Sequence, residues 1–389
     1  MGFLTEIGGF GGSLTSYLVP FLFVLTLVVF FHELGHFLIA RACGVAVETF
    51  SIGFGKEIFG WNDSKGTRWR VSWIPLGGYV KFVGDEGAAS NPDWDRISSI
   101  PEEERKGLFH FKKVWQRAAV VAAGPVANFI LSIVIFAILF TFVGRMESAA
   151  IVDKVQPGSA AESAGFMPGD KVVSIDGAKI ADFEDMQRIV SASGGVALSV
   201  TVDRGGVATT LTATPREQEV TDRFGDKHKM GLLGIVRDTS GEGVKLVKTN
   251  PLTSVWLGAR ETWFIVDRTF VYLGGVITGR EDSSQLGGPL RIAQVSGQVA
   301  TLGFAALINM AAILSVSIGL LNLFPVPMLD GGHLLYYAVE GIRGRPLGQR
   351  TQEFGFRIGL ALVMMLMVFA TWNDLVHLQV FQFISGLFS

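Results

Sequence analysis

Residues 7–31 read IGGFGGSLTSYLVPFLFVLTLVVFF without one Asp, Glu, Lys or Arg, and His32-Glu33-Leu34-Gly35-His36 follows directly. An α-helix rises about 1.5 Å per residue and needs about 20 apolar residues to cross about 30 Å of hydrocarbon. This stretch therefore predicts a transmembrane helix with ionisable groups at its far end. Three more charge-free windows follow: Ala118–Gly144 (27 residues), Ile292–Leu329 (38) and Ile358–Asn373 (16). The last reaches only about 24 Å by the same rise, so it must extend to either side, with Trp372 as an interfacial anchor. The expectation is four transmembrane helices, because soluble core helices rarely run so far without a charge.

The composition agrees. Of 389 residues, 17% are charged and 49% hydrophobic, against a usual charged share of about 25%, which excludes intrinsic disorder. A net charge of −2 gives no footprint for nucleic acid. The single cysteine, Cys43, excludes an intrachain disulfide framework and a cysteine-based zinc module, and reads as a free thiol near the membrane face. Residues 1–16 hold no Lys or Arg, so the first span lacks the charged start of a cleaved signal peptide and is expected to stay.

Orientation follows from positive charge, which collects on the cytoplasmic side. Arg41, Lys112, Lys113 and Arg117 flank the loop between the first two spans, and Arg343, Arg345, Arg350 and Arg357 lie between the last two. Both termini and residues 145–291 are then expected outside, with those two loops in the cytoplasm. The expected divisions are 1–144 (two spans and a cytoplasmic β-loop), 145–216 (an outer domain), 217–291 (an outer linker with amphipathic helices) and 292–389 (two spans).

The outer domain has soluble character. Residues 151–177 read as strand, turn, short helix, Pro168-Gly169 turn and a second strand ending at Asp176-Gly177. Asp182–Ser191 has helical spacing, Ala197–Asp203 and Ala208–Ala213 alternate as strands around Gly205-Gly206, and residues 231–236 offer a closing strand. The arrangement resembles a PDZ domain of the bacterial, protease-associated type, which implies capture of an extended peptide or a C-terminus by strand addition. From Pro251 to Arg280, Val255, Trp256, Trp263, Phe264, Val266 and Phe270 interleave with Arg260, Glu261, Asp267 and Arg268. That pattern predicts a helix resting on the outer membrane surface.

His32 and His36 fit H-E-x-x-H, in which positions i and i+4 share one helix face and both imidazoles can bind one zinc ion. Glu33, rotated about 100° from His32, is placed to act as general base. Ionisable groups that continue an apolar span are costly and functional by default. Catalytic zinc usually takes three protein ligands and one water, so a third must come from elsewhere. Asp330 is the first charge after the 38-residue window, and Pro325, Pro327, Gly331 and Gly332 break the helix beside it. Irregular backbone at membrane depth survives only where it lines a cavity or is buried in protein. Asp330 is the leading candidate, with His333 as the other.

Taken together, His32–His36, Gly124-Pro-Val-Ala-Asn128 and Asn322–His333 resemble the site-2 protease family of intramembrane zinc metalloproteases. Phe50–Gly55, Trp73–Lys81 and Leu286–Ala293 are similar to its bacterial RseP-like branch. The resemblance implies one zinc per chain held by His32, His36 and Asp330, with Glu33 as base and Asn322 and Asn128 holding or positioning substrate. It implies a place in the bacterial inner membrane and single-span membrane proteins as substrates, among them anti-sigma factors and remnant signal peptides. The best-known members carry two PDZ domains in tandem; here one is evident. The fold expected is thus a multi-pass α-helical membrane protein with four transmembrane helices, a membrane-associated β-hairpin and an inserted extracytoplasmic α+β PDZ domain.

The resemblance also gives meaning to residues 67–83, where Pro75 with Gly77 and Gly78 is expected to form a hairpin turn. A free β-edge there would accept an extended substrate, with Gly77 and Gly78 positioning it. A transmembrane helix must be unwound before water can attack, and an edge strand offers replacement hydrogen bonds. The alternatives are a non-proteolytic, PDZ-bearing membrane scaffold and a metal transporter. Neither needs a general base between its ligands, and Glu33 argues against both.

Overall fold

The computed structural model describes residues 2–86, 94–180, 182–221, 227–236, 244–279 and 287–377. The chain divides into two compact units, one formed by the segments up to Ile138 and from Pro251 onward, the other by Leu139–Asn250. Residues 280–286 of the expected linker, with Leu286 of its last motif, lie outside the described residues.

In the first unit the helix α1 (Gly2–Ala42) runs on through the H-E-x-x-H motif, and a turn at Cys43-Gly44 leads into two long strands, β1 (Val47–Asn62) and β2 (Arg68–Phe82). Both strands bend, so that Thr49–Ile52 carries partners on both sides: Ser51 lies opposite Tyr79 and also opposite Arg70. The hairpin turn is Asp63–Thr67, and the Pro75–Gly78 stretch expected to turn is a bend inside β2. Asp63 has the stronger turn chemistry, because its carboxylate accepts the Lys65 and Thr67 amides. Desolvation opposes the charge of Asp63, but the Thr67 and Lys65 N–H groups, Trp69 and Arg41 hold its carboxyl down to about 2. Arg41, the last basic residue of α1, donates to Asp63 at 2.6 Å, which bolts the turn to the helix carrying the motif. Phe50 is buried against Phe30, Phe37 and Trp69, a contact worth about 1.5–3 kcal/mol by area.

Two short helices, α2 (Trp94–Ser99) and α3 (Glu102–Arg105), precede α4 (Val114–Ile138). After the second unit come α7 (Pro251–Ile277), α8 (Pro289–Thr301), α9 (Phe304–Leu323), α10 (Asp330–Arg343) and α11 (Gln349–His377). Among the described residues, four stretches are long and apolar enough to cross a membrane: Thr15–Ala42, Val114–Val143, Phe304–Leu323 and Arg350–Val376. The short fourth window does extend on both sides, to Arg350 and to Val376.

Two expectations need correction. The 38-residue window is not one helix, because Leu302 and Gly303, the latter at φ 109, separate α8 from α9. Such a backbone suits glycine alone. The N-terminus of α8 is capped from a distance: buried Asp374 of α11 accepts the amides of Gly288, Leu290 and Arg291 at 2.8–3.1 Å. The second correction concerns α7, expected on the outer membrane surface. It packs lengthwise against α4 and α9 instead. Its buried Ser254, Gly258 and Thr262 recur every four residues, a small-residue seam that lets helices approach closely. A Cβ on Gly258 would lie 2.7 Å from the Ile133 carbonyl oxygen, Ser132 and Thr262 share a 3.2 Å hydroxyl contact, and Phe270 meets Phe324. The charges on its other face dominated the sequence pattern and hid the seam.

The second unit is wider than residues 145–216. It holds β3 (Arg145–Ser148), β4 (Lys154–Val155), α5 (Ala160–Ala164), β5 (Lys171–Ile175), β6 (Ala178–Lys179), α6 (Phe183–Ala192), β7 (Leu198–Arg204), β8 (Val207–Ala213), β9 (Arg216–Thr221), β10 (Lys227–Leu232), β11 (Ile235–Val236) and β12 (Val244–Val247). The main sheet has the order β6-β5-β7-β8, and β11 pairs antiparallel with β4. Val152, Val172, Ile175, Val200, Val202, Met186 and Val190 form its core. Asp182 and Ser159 cap α6 and α5 through the Asp185 and Glu162 amides. Buried Asp170 takes both a 2.7 Å and a 2.8 Å bond from Arg204, and this guanidinium holds its carboxyl below the usual range. A cavity of about 430 Å³ lies between α6 (Phe183, Met186, Val190) and Leu233 and Ile235, with Gln156 and Ser159 also in its lining.

Candidate metal centre

His32 and His36 sit one turn apart in the stretch Thr15–Ala42, and α4 crosses α1 beside them. The crossing is close: a Cβ on Gly35 would collide with the Ala123 carbonyl oxygen and lie 2.7 Å from the Ala127 methyl. Pro125 of α4 has no N–H for the carbonyl four residues earlier. One residue before the Val121 carbonyl so released, the Val120 carbonyl accepts a 2.9 Å hydrogen bond from His36 Nδ1, which leaves Nε2 as the ring's lone-pair atom.

The third group arrives from the break after α9. Pro325 and Pro327 stop that helix, Met328 takes φ 98, and α10 begins at Asp330. Positive φ at a methionine is a strained conformation that the surroundings must enforce. They do so through Gly331 and Gly332, whose lack of a side chain lets α10 tuck against the Phe324 and Val326 carbonyls. At its other end α10 is clamped to α4, with Arg117 bonded to Glu340 at 2.6 Å and stacked over Tyr337.

The three ligand atoms converge. His32 Nε2 and His36 Nε2 are 3.2 Å apart, and Asp330 Oδ2 is 3.2 Å from the first and 3.6 Å from the second. Zinc binds imidazole nitrogen at about 2.0–2.1 Å and carboxylate oxygen at about 2.0–2.2 Å, so the edges of its tetrahedron are about 3.3–3.5 Å. The residues present fit that ion. Among the described residues this is the one group of three such side chains close enough to share a metal. His333 lies outside it, against the Tyr336 ring.

The other residues singled out above fall in different places. Glu33 turns towards the sheet, where a Cβ on Gly78 would come within 3.2 Å of its Cγ. Gly77 takes φ 137 beside the Phe54 ring. Asn322 is half-buried at the end of α9. Asn128, expected to meet substrate, is fully buried behind His32, with Nδ2 3.2 Å from His32 Nδ1. One residue had no assigned part. Gly124 faces both imidazoles: a Cβ there would overlap His36 Nε2 and lie 2.5 Å from His36 Cε1 and 2.9 Å from His32 Cε1. A glycine beside proline inside an apolar window was the available signal, but it gives no hint of what crosses there.

Residues 20–366 match the family model described as Peptidase family M50. The chain belongs to that family. A protein of Agrobacterium fabrum designated a zinc metalloprotease is 53% identical over 364 residues, covering 94% of this chain and 97% of its own length. One of Rhizobium meliloti with the same designation is 51% identical over 92% and 96%. Metalloprotease MmpA of Caulobacter vibrioides is 42% identical over 96% and 98%. This M50 chain is a zinc-dependent protease of the membrane, with a His-His-Asp group at membrane-spanning helices.

Proposed function

We propose that this protease hydrolyses a peptide bond in or near the transmembrane segment of single-span membrane proteins, using His32, His36 and Asp330 to hold one zinc ion. The observation that carries the reading is where the three ligand atoms converge, on a helix stretch apolar enough to span the bilayer. A protease whose chemistry sits there takes substrates from the same depth. When bound, zinc supplies a Lewis acid for the scissile carbonyl and lowers the pKa of water towards about 7.

Glu33 takes the proton of the attacking water and passes it to the leaving amine. The sheet does the unwinding work. With Gly78 against Glu33, a substrate strand laid along the β2 edge has its backbone beside the base, and edge hydrogen bonds replace those its helix gives up. Gly77 and Gly78 leave room for that backbone, and Asn322, half-buried at the end of α9, supplies a side-chain amide to hold substrate. The charge pattern supports the inner membrane of a bacterium, both termini and Leu139–Asn250 outside, and the chemistry near the cytoplasmic face.

The second unit is read as a PDZ domain whose cavity beside α6 takes an extended peptide or a fresh C-terminus, so substrates trimmed outside by an earlier cut pass. Anti-sigma factors and remnant signal peptides are the substrate classes that the family resemblance favours. The test is a purified single-span substrate incubated with the enzyme in detergent, with product masses read by mass spectrometry. A cut within or at the edge of the apolar segment is expected. Cleavage confined to the soluble flanks, far from that segment, would overturn the intramembrane reading.

A further inference from the structure

Asn128 carries an unsettled account of its hydrogen bonds. Its side chain is fully buried, Nδ2 lies 3.2 Å from His32 Nδ1, and Oδ1 is buried without a partner. The residue cannot move aside to correct this. Ser315 of α9 donates to the Asn128 backbone carbonyl at 2.9 Å, and a Cβ on Gly319 would stand 3.1 Å from the Asn128 Cβ. Only rotation of the amide about its last torsion is open, which exchanges the oxygen and the nitrogen.

The two orientations have opposite consequences for His32. With Nδ2 donating, His32 Nδ1 accepts, so the ring proton sits on Nε2 and points at Asp330 Oδ2, 3.2 Å away. A protonated Nε2 has no lone pair for a metal. With the amide rotated, Oδ1 accepts from Nδ1–H and Nε2 is freed. Either orientation leaves one amide atom unpaired, so the preference is decided at His32. The neighbouring imidazole already has the metal-ready arrangement, with Nδ1 donating to the Val120 carbonyl.

We infer that Asn128 is the positioning residue of His32: its carbonyl oxygen accepts from His32 Nδ1 in the zinc-loaded enzyme, fixing the tautomer that ligates. This rests on the reading of His32 as a zinc ligand. It replaces a role in holding substrate, and a side chain with no exposed surface suits it better. Groups that orient a ligating histidine in this way set metal affinity by about 10- to 100-fold.

The test measures zinc affinity, by competition with a chromophoric chelator, in wild-type enzyme and in Asn128→Asp, Asn128→Leu and His32→Ala, each checked for thermal unfolding without metal. Asn128→Asp keeps an acceptor and loses the donor, so it should bind zinc as tightly as wild type or more so. Asn128→Leu should bind about 10- to 100-fold more weakly. A loss of tenfold or more in Asn128→Asp, or no loss in a folded Asn128→Leu, would overturn the inference. Should Asn128→Leu fail to fold, Asn128→Asp decides alone. Wild-type affinity in His32→Ala would overturn the ligand assignment and this inference with it, whereas loss there with no loss in Asn128→Leu overturns this inference only.

Discussion

Glu33→Gln should keep its zinc and lose cleavage by on the order of 100- to 10,000-fold, the range that general acid–base catalysis contributes. The two side chains have the same shape, so the amide fits the space between α1 and the Gly78 backbone. The metal group does not include Glu33, so its loss leaves three ligand atoms in place. What the amide cannot do is accept a proton from water. Zinc per chain by atomic absorption and turnover of a single-span substrate are measured on the same preparation. Turnover near the wild-type rate, with zinc bound, would remove Glu33 from the mechanism.

Gly124→Ala should weaken zinc binding by on the order of 100-fold, the upper end of what losing an orienting contact costs a site. The added methyl would overlap His36 Nε2, the ligand atom itself, and press on Cε1 of both rings. Relief by shifting α4 is blocked, since Gly35 already lies against Ala123 and Ala127. The imidazoles must therefore turn, and a catalytic site tolerates only about 0.5 Å of displacement. Calorimetric zinc titration of the purified variant gives the affinity. A value within threefold of wild type, with the fold intact, would show that the crossing has slack the packing does not suggest.

The parts of the site that were legible in sequence are those fixed by local geometry. Two histidines at i and i+4 share a helix face whatever surrounds them, and Asp330 announces itself as the first charge after an uncharged run broken by proline and glycine. The parts that were not legible depend on which helices cross. Gly124 matters because α1 passes at that level, and Asn128 because His32 turns its Nδ1 there. Neither fact is written in the spacing around the residue. The same holds for α7, where Ser254, Gly258 and Thr262 are a seam only once α4 lies alongside. The uncharged window 292–329 misled in the other direction: absence of charge reports an apolar environment, and says nothing about the glycine at 303 that divides it.

The measurement that bears most directly on the metal centre is bound zinc per chain in Asp330→Ala beside His333→Ala, each purified in detergent and freed of loosely held metal. Asp330 Oδ2 completes the tetrahedral edges with His32 and His36 at 3.2 and 3.6 Å, while His333 stands against Tyr336 outside that group. The expected result is close to no zinc in Asp330→Ala and close to one zinc per chain in His333→Ala. One zinc per chain in Asp330→Ala, with loss in His333→Ala, would contradict the account and move the third ligand to His333.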